Sequence, residues 1–152
     1  MKMWKVFFAL FSSVAISACT TVTHSSIEAD AEAKKFTTPS GNNSGIYVYR
    51  DGMIGGAYLR KIWTNDDCIG AVARNSFIYK EVPGGKKYTI STSSAIGQSS
   101  INIETVPGKN YFIRQYLIIG PVSGMTYLEE KKEIEALDVI KNLRLLPNKC
   151  DY

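Results

Sequence analysis

The stretch IYVYR, Ile46–Arg50, decides the fold class, because its β-branched and aromatic side chains favour extended backbone. Further runs of this kind lie at Ala57–Trp63, Cys68–Ala73, Ser76–Val82, Lys87–Ser93, Ser100–Val106 and Asn110–Ile119. Short segments of Gly, Pro, Asn or Asp separate these runs. About seven short strands separated by such turn-forming segments predict a small antiparallel β-sandwich.

The chain changes its hydrophobic period after the last predicted strand. Between Leu128 and Leu143 the apolar residues fall largely at helical intervals, and the charged run Glu129–Glu133 forms a polar side. Pro147 follows and would end any helix. The sequence therefore predicts a mainly β fold with one C-terminal α-helix of about fifteen residues, packed on the sheet or across an open end of it.

Residues 1–18 have the three parts of an export signal. Lys2 and Lys5 precede the apolar run Val6–Ile16, and the small residues Ser17 and Ala18 follow it. Eleven helical residues extend only about 16 Å, whereas a bilayer core is about 30 Å thick. The segment is therefore predicted to be a cleaved signal peptide rather than a membrane-spanning helix.

The end of this signal, Ile16–Cys19, resembles the bacterial lipobox, which is an aliphatic residue, two small residues and a cysteine. The resemblance implies diacylglyceryl transfer to the Cys19 thiol, cleavage before Cys19 and acylation of the new amine. Several acyl chains such as palmitate anchor a protein stably, whereas one binds only marginally. Lipoproteins retained in the inner membrane usually have Asp after the lipidated cysteine. Thr20 at this position resembles the pattern of lipoproteins sorted to the outer membrane. The alternative is an accidental cysteine beside a plain cleavage site.

The remaining chain divides into two regions. Residues 19–35 are small and polar, and are interpreted as a lipidated N-terminus with a flexible tether. Residues 36–152 are interpreted as the β-sandwich domain with its C-terminal helix. His24, the only histidine, lies in the predicted tether, where a solvated side chain is expected.

Charge and motifs exclude several classes of function. Removing Lys2 and Lys5 from the net charge of +4 leaves 16 basic and 14 acidic residues, or +2, which is too low for a nucleic-acid binder. With one histidine, no serine or cysteine has a conventional catalytic partner. The three cysteines lack metal-ligand spacing. We therefore predict that the chain has no catalytic, cofactor-binding or metal site and that it is not an enzyme.

Two cysteines remain once Cys19 is assigned to the lipid. Export would take the chain to an oxidising compartment, so Cys68 and Cys150 are predicted to form a disulfide. The alternative is a pair of buried free thiols.

The tyrosines of the predicted strands admit two interpretations. They are Tyr47, Tyr49, Tyr58, Tyr79, Tyr88, Tyr111 and Tyr116. One interpretation is an exposed aromatic face that stacks on a sugar or a peptide. The other is ordinary amphipathic packing, with half-buried rings and wet hydroxyls, which strand propensity alone would produce.

Four motifs in order resemble a known family. They are FTTPSGNNSGIYVYRDG (36–52), CIGAV (68–72), the Pro-Gly turn before Tyr88, and PGKNYFIRQ (107–115). Between Phe36 and about Ile119 the chain resembles small bacterial lipoproteins of the domain-of-unknown-function family 2846. The resemblance implies a small β-sandwich, similar to modules that bind or present peptides and sugars. It implies no known activity and no catalytic residues.

The sequence favours a lipid-anchored module of the cell envelope, on the periplasmic face of the outer membrane. Its expected partners are the membrane, through the lipid on Cys19, and an envelope protein or glycan bound at an exposed strand edge or loops. No cofactor and no nucleic-acid partner are expected. The alternatives are an envelope enzyme acting on cell-wall material and a structural spacer lipoprotein.

Overall fold

The structure is a computed structural model that describes residues 22–52, 56, 58–94, 97–120 and 124–152. The predicted signal peptide (1–18), Cys19 and Ala57 lie outside these ranges. The described residues form two helices, α1 (Ile27–Ala33) and α2 (Glu133–Ile140). They also form nine strands: β1 (Asn43–Arg50), β2 (Arg60–Thr64), β3 (Asp67–Val72), β4 (Ser76–Pro83), β5 (Lys87–Ser93), β6 (Gln98–Glu104), β7 (Asn110–Ile119), β8 (Gly124–Lys131) and β9 (Arg144–Leu145).

The strands form two sheets. Sheet A has five strands in the order β8-β7-β1-β4-β9, and sheet B has four in the order β3-β2-β5-β6. The predicted mainly β class with a C-terminal helix is confirmed. Sheet A is mixed rather than purely antiparallel, because β1 runs parallel to β7 and β4 runs parallel to β9.

Strand β1 is the centre of sheet A and is buried on both faces. Ile46 and Val48 belong to the core between the two sheets, whereas Tyr47 and Tyr49 point to the opposite face. Because both faces are buried, residues 46–49 do not alternate between polar and apolar as they would in a half-exposed strand. Sheet A is therefore the middle layer of three, between sheet B and the helices.

Each side of sheet A has its own apolar cluster. The core between the sheets consists mainly of aliphatic residues, among them Ile46, Val48, Ile62, Val72, Ile78, Ile90, Ile103, Ile113 and Leu128. The cluster under the helices contains the aromatic rings, with Tyr47, Tyr49, Phe77 and Phe112 beside Ala33, Ala136, Ile140, Leu143 and Leu145. Both helices thus cover one face of one sheet.

The C-terminal helix is shorter than the sequence predicted. Residues up to Lys131 form β8, which pairs with β7 from Phe112 to Ile119, and α2 begins only at Glu133. Leu128 supplied the first position of the predicted helical period, but it faces the core between the sheets from β8. Pairing with β7 therefore determines the conformation of a segment whose apolar residues are too few to distinguish the two periods.

The predicted flexible tether is helical over Ile27–Ala33. The Ser26 hydroxyl accepts a hydrogen bond from the Ala29 N–H, and Glu28 and Asp30 lie in the first turn, where the helix dipole favours acidic groups. The expectation of a flexible tether is therefore wrong for this part of 19–35. No helix in the described ranges is long and apolar enough to span a membrane.

Candidate strand-edge site

The edge of β4 that faces away from β1 is the candidate site, and its orientation follows from the register. The Gly45 N–H donates to the Lys109 carbonyl at 3.0 Å, so the odd-numbered residues of β1 bond towards β7. The even-numbered residues of β1 therefore bond to β4, where Ile46 lies opposite Lys80. The intervening residues of β4, Tyr79 and Glu81, direct their backbone N–H and C=O groups away from β1.

Strand β9 covers only the beginning of this edge. It pairs with Ser76 and Phe77, and the Leu146 N–H then donates to the Phe77 carbonyl at 2.8 Å. Beyond that bond, the backbone groups of Tyr79 and Glu81 have no hydrogen-bond partner within the residues that the structure describes. They form a short free edge in extended conformation, which is the geometry that an added strand requires.

Pro83 ends the free edge. It occupies another position that faces away from β1, so its missing N–H leaves no gap in the ladder with β1. Its carbonyl accepts a hydrogen bond from the Tyr88 hydroxyl at 2.9 Å. The accessible edge is therefore limited to Tyr79 and Glu81.

The C-terminal tail closes the neighbouring edge of sheet B. The Asn148 side-chain amide donates to the Ile69 carbonyl at 2.7 Å, and Cys68 forms a disulfide with Cys150, with 6.3 Å between their Cα atoms. The predicted pairing of these two cysteines is present in the structure. The tail consequently protects the edge of β3 and leaves the end of β4 open.

An acidic groove lies on the helix side of the free edge. This outer groove has a volume of about 460 Å³ and is lined by Ser25, Ala29, Glu32, Ala33, Thr37, Tyr47, Tyr79, Glu81, Leu145, Leu146 and Asn148. Its lining contains the carboxylates of Glu32 and Glu81 and no lysine or arginine. A side chain with an apolar stem and a positive charge therefore fits it best.

Glu81 is held in place by its neighbours. One carboxylate oxygen accepts a hydrogen bond from the Tyr79 hydroxyl at 3.0 Å, and the other accepts one from the Asn43 amide at 3.1 Å. Burial, followed by the hydrogen bond to Glu81 and its charge, raises the pKa of Tyr79 above its ordinary value. The Tyr79 hydroxyl therefore stays protonated and keeps donating to Glu81.

A second groove lies between this edge and sheet B. This inter-sheet groove has a volume of about 610 Å³, and its charged lining residues are Asp67, Lys80, Glu81, Lys86 and Lys87. The lysines outnumber the acids, so the groove favours an acidic side chain. The two grooves thus present opposite charge preferences on the two sides of one strand edge.

The tyrosines do not form an exposed aromatic face. Tyr47, Tyr49 and Tyr111 are buried, and Tyr47 packs against Phe112 with ring centroids 5.1 Å apart. The packing interpretation is therefore the correct one for these three residues. Tyr58 is exposed but lies outside the strands, before β2. No group of three or more metal-ligating side chains occurs among the described residues.

Sequence reasoning missed Glu81 as a site residue and named Tyr79 only as part of a possible aromatic face, although the sequence contains one signal for this strand edge. Pro83 belongs to a Pro-Gly turn, and its position at the end of an apolar run also indicates an edge strand. Cys19 lies outside the described residues, so the structure gives no account of it.

Comparison with known proteins identifies the family. The profile of the family described as "Protein of unknown function (DUF2846)" matches residues 40–126. The chain belongs to this family. An uncharacterized protein of Haemophilus influenzae is 42% identical over 130 residues, which cover 86% of this chain and 77% of that relative. The DUF2846 match runs from before β1 into β8, so it includes the free edge of β4 but neither helix.

Proposed function

We propose that the protein is a non-enzymatic cell-envelope module that binds an extended peptide segment of an envelope protein along the free edge of β4. The proposal includes lipid anchoring through Cys19 and a position on the periplasmic face of the outer membrane. The unpaired backbone groups of Tyr79 and Glu81 carry the binding part. The lipobox-like Ile16–Cys19 carries the anchoring part.

The two grooves define the chemistry of the peptide. Successive side chains of an added strand point alternately to the two faces of the sheet. Those on the helix side would meet Glu32 and Glu81, and those on the other side would meet Lys80, Lys86 and Lys87. The segment we propose therefore alternates basic and acidic residues, with the backbone supplying affinity and the charges supplying selectivity.

The binding test uses a fluorescent peptide with four alternating Lys-Glu pairs and the full chain in a non-ionic detergent. We expect saturable binding by fluorescence anisotropy, and weaker binding of a control peptide with the same lysines and glutamates in two separate blocks. Compared with Glu81→Ala, which removes the same carboxylate, Glu81→Pro also removes an edge-facing N–H donor and should weaken binding about a further tenfold, the equivalent of one hydrogen bond. Equal affinity for both peptides, or no difference between Glu81→Pro and Glu81→Ala, would contradict strand addition.

A matched pair of proline variants tests the orientation of the edge itself. The Lys80 N–H lies on the β1 side of β4, so Lys80→Pro should cost about 3 kcal/mol or more of unfolding free energy. Glu81→Pro removes no backbone hydrogen bond within the domain. Relative to Glu81→Ala, which loses the same side-chain hydrogen bonds from Tyr79 and Asn43, it should cost about 1 kcal/mol or less. Urea denaturation measures both values. Similar losses for the two variants would mean that the edge is not free at Glu81.

Anchoring is tested separately by metabolic labelling with radioactive palmitate. We expect label in the wild-type protein and none after Cys19→Ala. Label that is absent, or equal in both proteins, would overturn the lipid anchor without affecting the peptide site.

If cell-wall glycan fragments bind the protein and the alternating peptide does not, the occupant of the module is a glycan instead.

A further inference from the structure

The first described residues of the chain are docked against the domain. Val22 packs against the core between the sheets, and the Ser25 N–H donates to the Leu145 carbonyl at 2.9 Å. These contacts join the N-terminal segment to the strand that pairs with β4. The segment before α1 is therefore part of the folded domain from Val22 onward.

Helix α1 extends this attachment through partly buried ionic contacts. Asp30 accepts a hydrogen bond from the Leu145 N–H at 2.6 Å and forms an ion pair with Lys34 at 2.6 Å. Lys34 also donates to the Leu143 carbonyl at 2.6 Å. Further along, the Ala33 carbonyl accepts a hydrogen bond from the buried Tyr47 hydroxyl at 2.9 Å. These partners fix the middle and the C-terminal end of the helix to sheet A and to the segment after α2.

This docking leaves little chain for a tether. Cys19 is joined to Val22 by three peptide units, which at full extension reach about 11 Å. We infer that the folded domain is held directly against the phospholipid headgroups, with its Val22 end toward the bilayer. The inference rests on the proposed lipidation of Cys19, and it assigns the membrane-facing surface that lipidation alone does not specify.

Ile27 is the apolar side chain placed to contact the lipid interface. It begins α1, five residues after Val22, and is 74% exposed. An aliphatic side chain at this depth gains free energy by leaving water for the headgroup boundary. Lipidation and Ile27 thus act on the same end of the domain.

The same orientation places the peptide site close to the membrane. Ser25, which follows Val22 by three residues, lines the outer groove together with Tyr79 and Glu81. A partner that adds a strand to β4 must therefore bring an extended segment to the bilayer surface. Segments that immediately follow a lipid anchor or a membrane-spanning element fit this requirement.

The experiment measures the distance of two surface sites from the lipid. The full-length lipidated protein is reconstituted in phosphatidylethanolamine and phosphatidylglycerol vesicles that contain a headgroup-attached quencher. Fluorophores are attached to Ile27→Cys and, as a control, to Asn102→Cys, an exposed position on sheet B. Labelling without reductant spares the Cys68–Cys150 disulfide. We expect at least twofold stronger quenching at position 27 than at position 102.

A linker variant separates the short attachment from anchoring itself. Twelve Gly and Ser residues inserted between Thr21 and Val22 would give a root-mean-square span of about 20 Å. We expect the insertion to remove most of the quenching at position 27 while mass spectrometry still detects the acyl chains. Equal quenching at the two sites, or quenching unchanged by the insertion, would overturn the inference. Absence of acyl chains in the parent protein would instead overturn the proposed lipidation.

Discussion

Sheets A and B differ in what covers their outer faces. In sheet A, β1 is buried on both faces, and its outer aromatic rings pack beneath α1 and α2. In sheet B, one face supports the core, while the other presents residues such as Thr89 and Asn102 to solvent. The strand sequences differ accordingly, because IYVYR lacks the alternation of polar and apolar residues that KYTISTS shows.

This difference follows from where the two ends of the chain pack. The N-terminal segment, α2 and the C-terminal tail all pack on sheet A or along the open side of the sandwich, next to β4 and β3. Sheet B needs less cover because its outer face carries mainly polar residues, with Trp63 as an exception. The free edge of β4 is the place along this strand where the cover by β9 and the tail stops.

The largest expected effect comes from breaking the covalent link between sheet B and the C-terminal tail that follows β9. The Cys68–Cys150 disulfide spans 82 residues, so the double variant Cys68→Ser/Cys150→Ser should lose roughly 4–5 kcal/mol by the chain-entropy estimate. Urea denaturation measures the loss, and the wild-type protein under reducing conditions is the control. A loss below about 1 kcal/mol in both would show that the unfolded chain is not constrained by this bond.

Tyr47 and Thr89 compare the outer faces of the two sheets directly. Tyr47→Ala removes a buried ring that contacts Phe77, Tyr79 and Phe112, and should cost about 3–5 kcal/mol. Thr89→Ala, at an exposed position of β5, should change the unfolding free energy by about 0.5 kcal/mol or less. Chemical denaturation measures both variants. Equal losses would mean that the helix-covered face contributes no more than the solvated face.

The smallest expected effect concerns the charge that fixes α1 to sheet A. Burial alone would raise the pKa of Asp30, but hydrogen bonds from Lys34 and the Leu145 N–H, with the charges of Lys34 and Arg144, lower it overall. Because the folded pKa is lowered, ionised Asp30 stabilises the protein above its ordinary pKa of about 4. That contribution is lost as the pH falls through the folded value.

Asp30→Asn should therefore cost about 1 kcal/mol at pH 7, and this difference should shrink in acid, as the pH falls through the lowered folded pKa of Asp30. The matched control is Asp138→Asn, since Asp138 is largely exposed and its contact with Lys141 is long, at 3.5 Å. The control should leave stability unchanged at either pH. Unfolding free energies measured across this pH range would contradict the prediction if the cost of Asp30→Asn were constant.

The sequence predicted local structure well where side-chain period and turn residues agree. The segments Lys87–Ser93 and Asn110–Ile119 were predicted with the bounds that the structure has. The helix over Ile27–Ala33 was missed although Ser26 is a good N-cap, because its small polar residues show little amphipathic period. The sequence placed the residues of β8 from Leu128 onward in the helix, because Leu128 fits both the helical and the strand period.

The candidate site depends on pairings that no local pattern encodes. The free edge exists because β1 lies between β4 and β7, and because β9 is only two residues long. Both facts concern segments that are distant in sequence. The cysteine pair was predictable by counting cysteines. Glu81 is recognisable as a site residue only from its contacts with Tyr79 and Asn43 and from the early end of β9.

The parallel pairing of β1 with β7 also determines when the domain can fold. β1 ends at Arg50 and its partner begins at Asn110, so the middle of sheet A cannot form until the intervening strands have been synthesised. Such distant pairings are typical of domains that fold on the order of milliseconds to seconds. We therefore expect the growing chain to remain open until β7 emerges, a delay compatible with the export that the proposed lipid anchor requires.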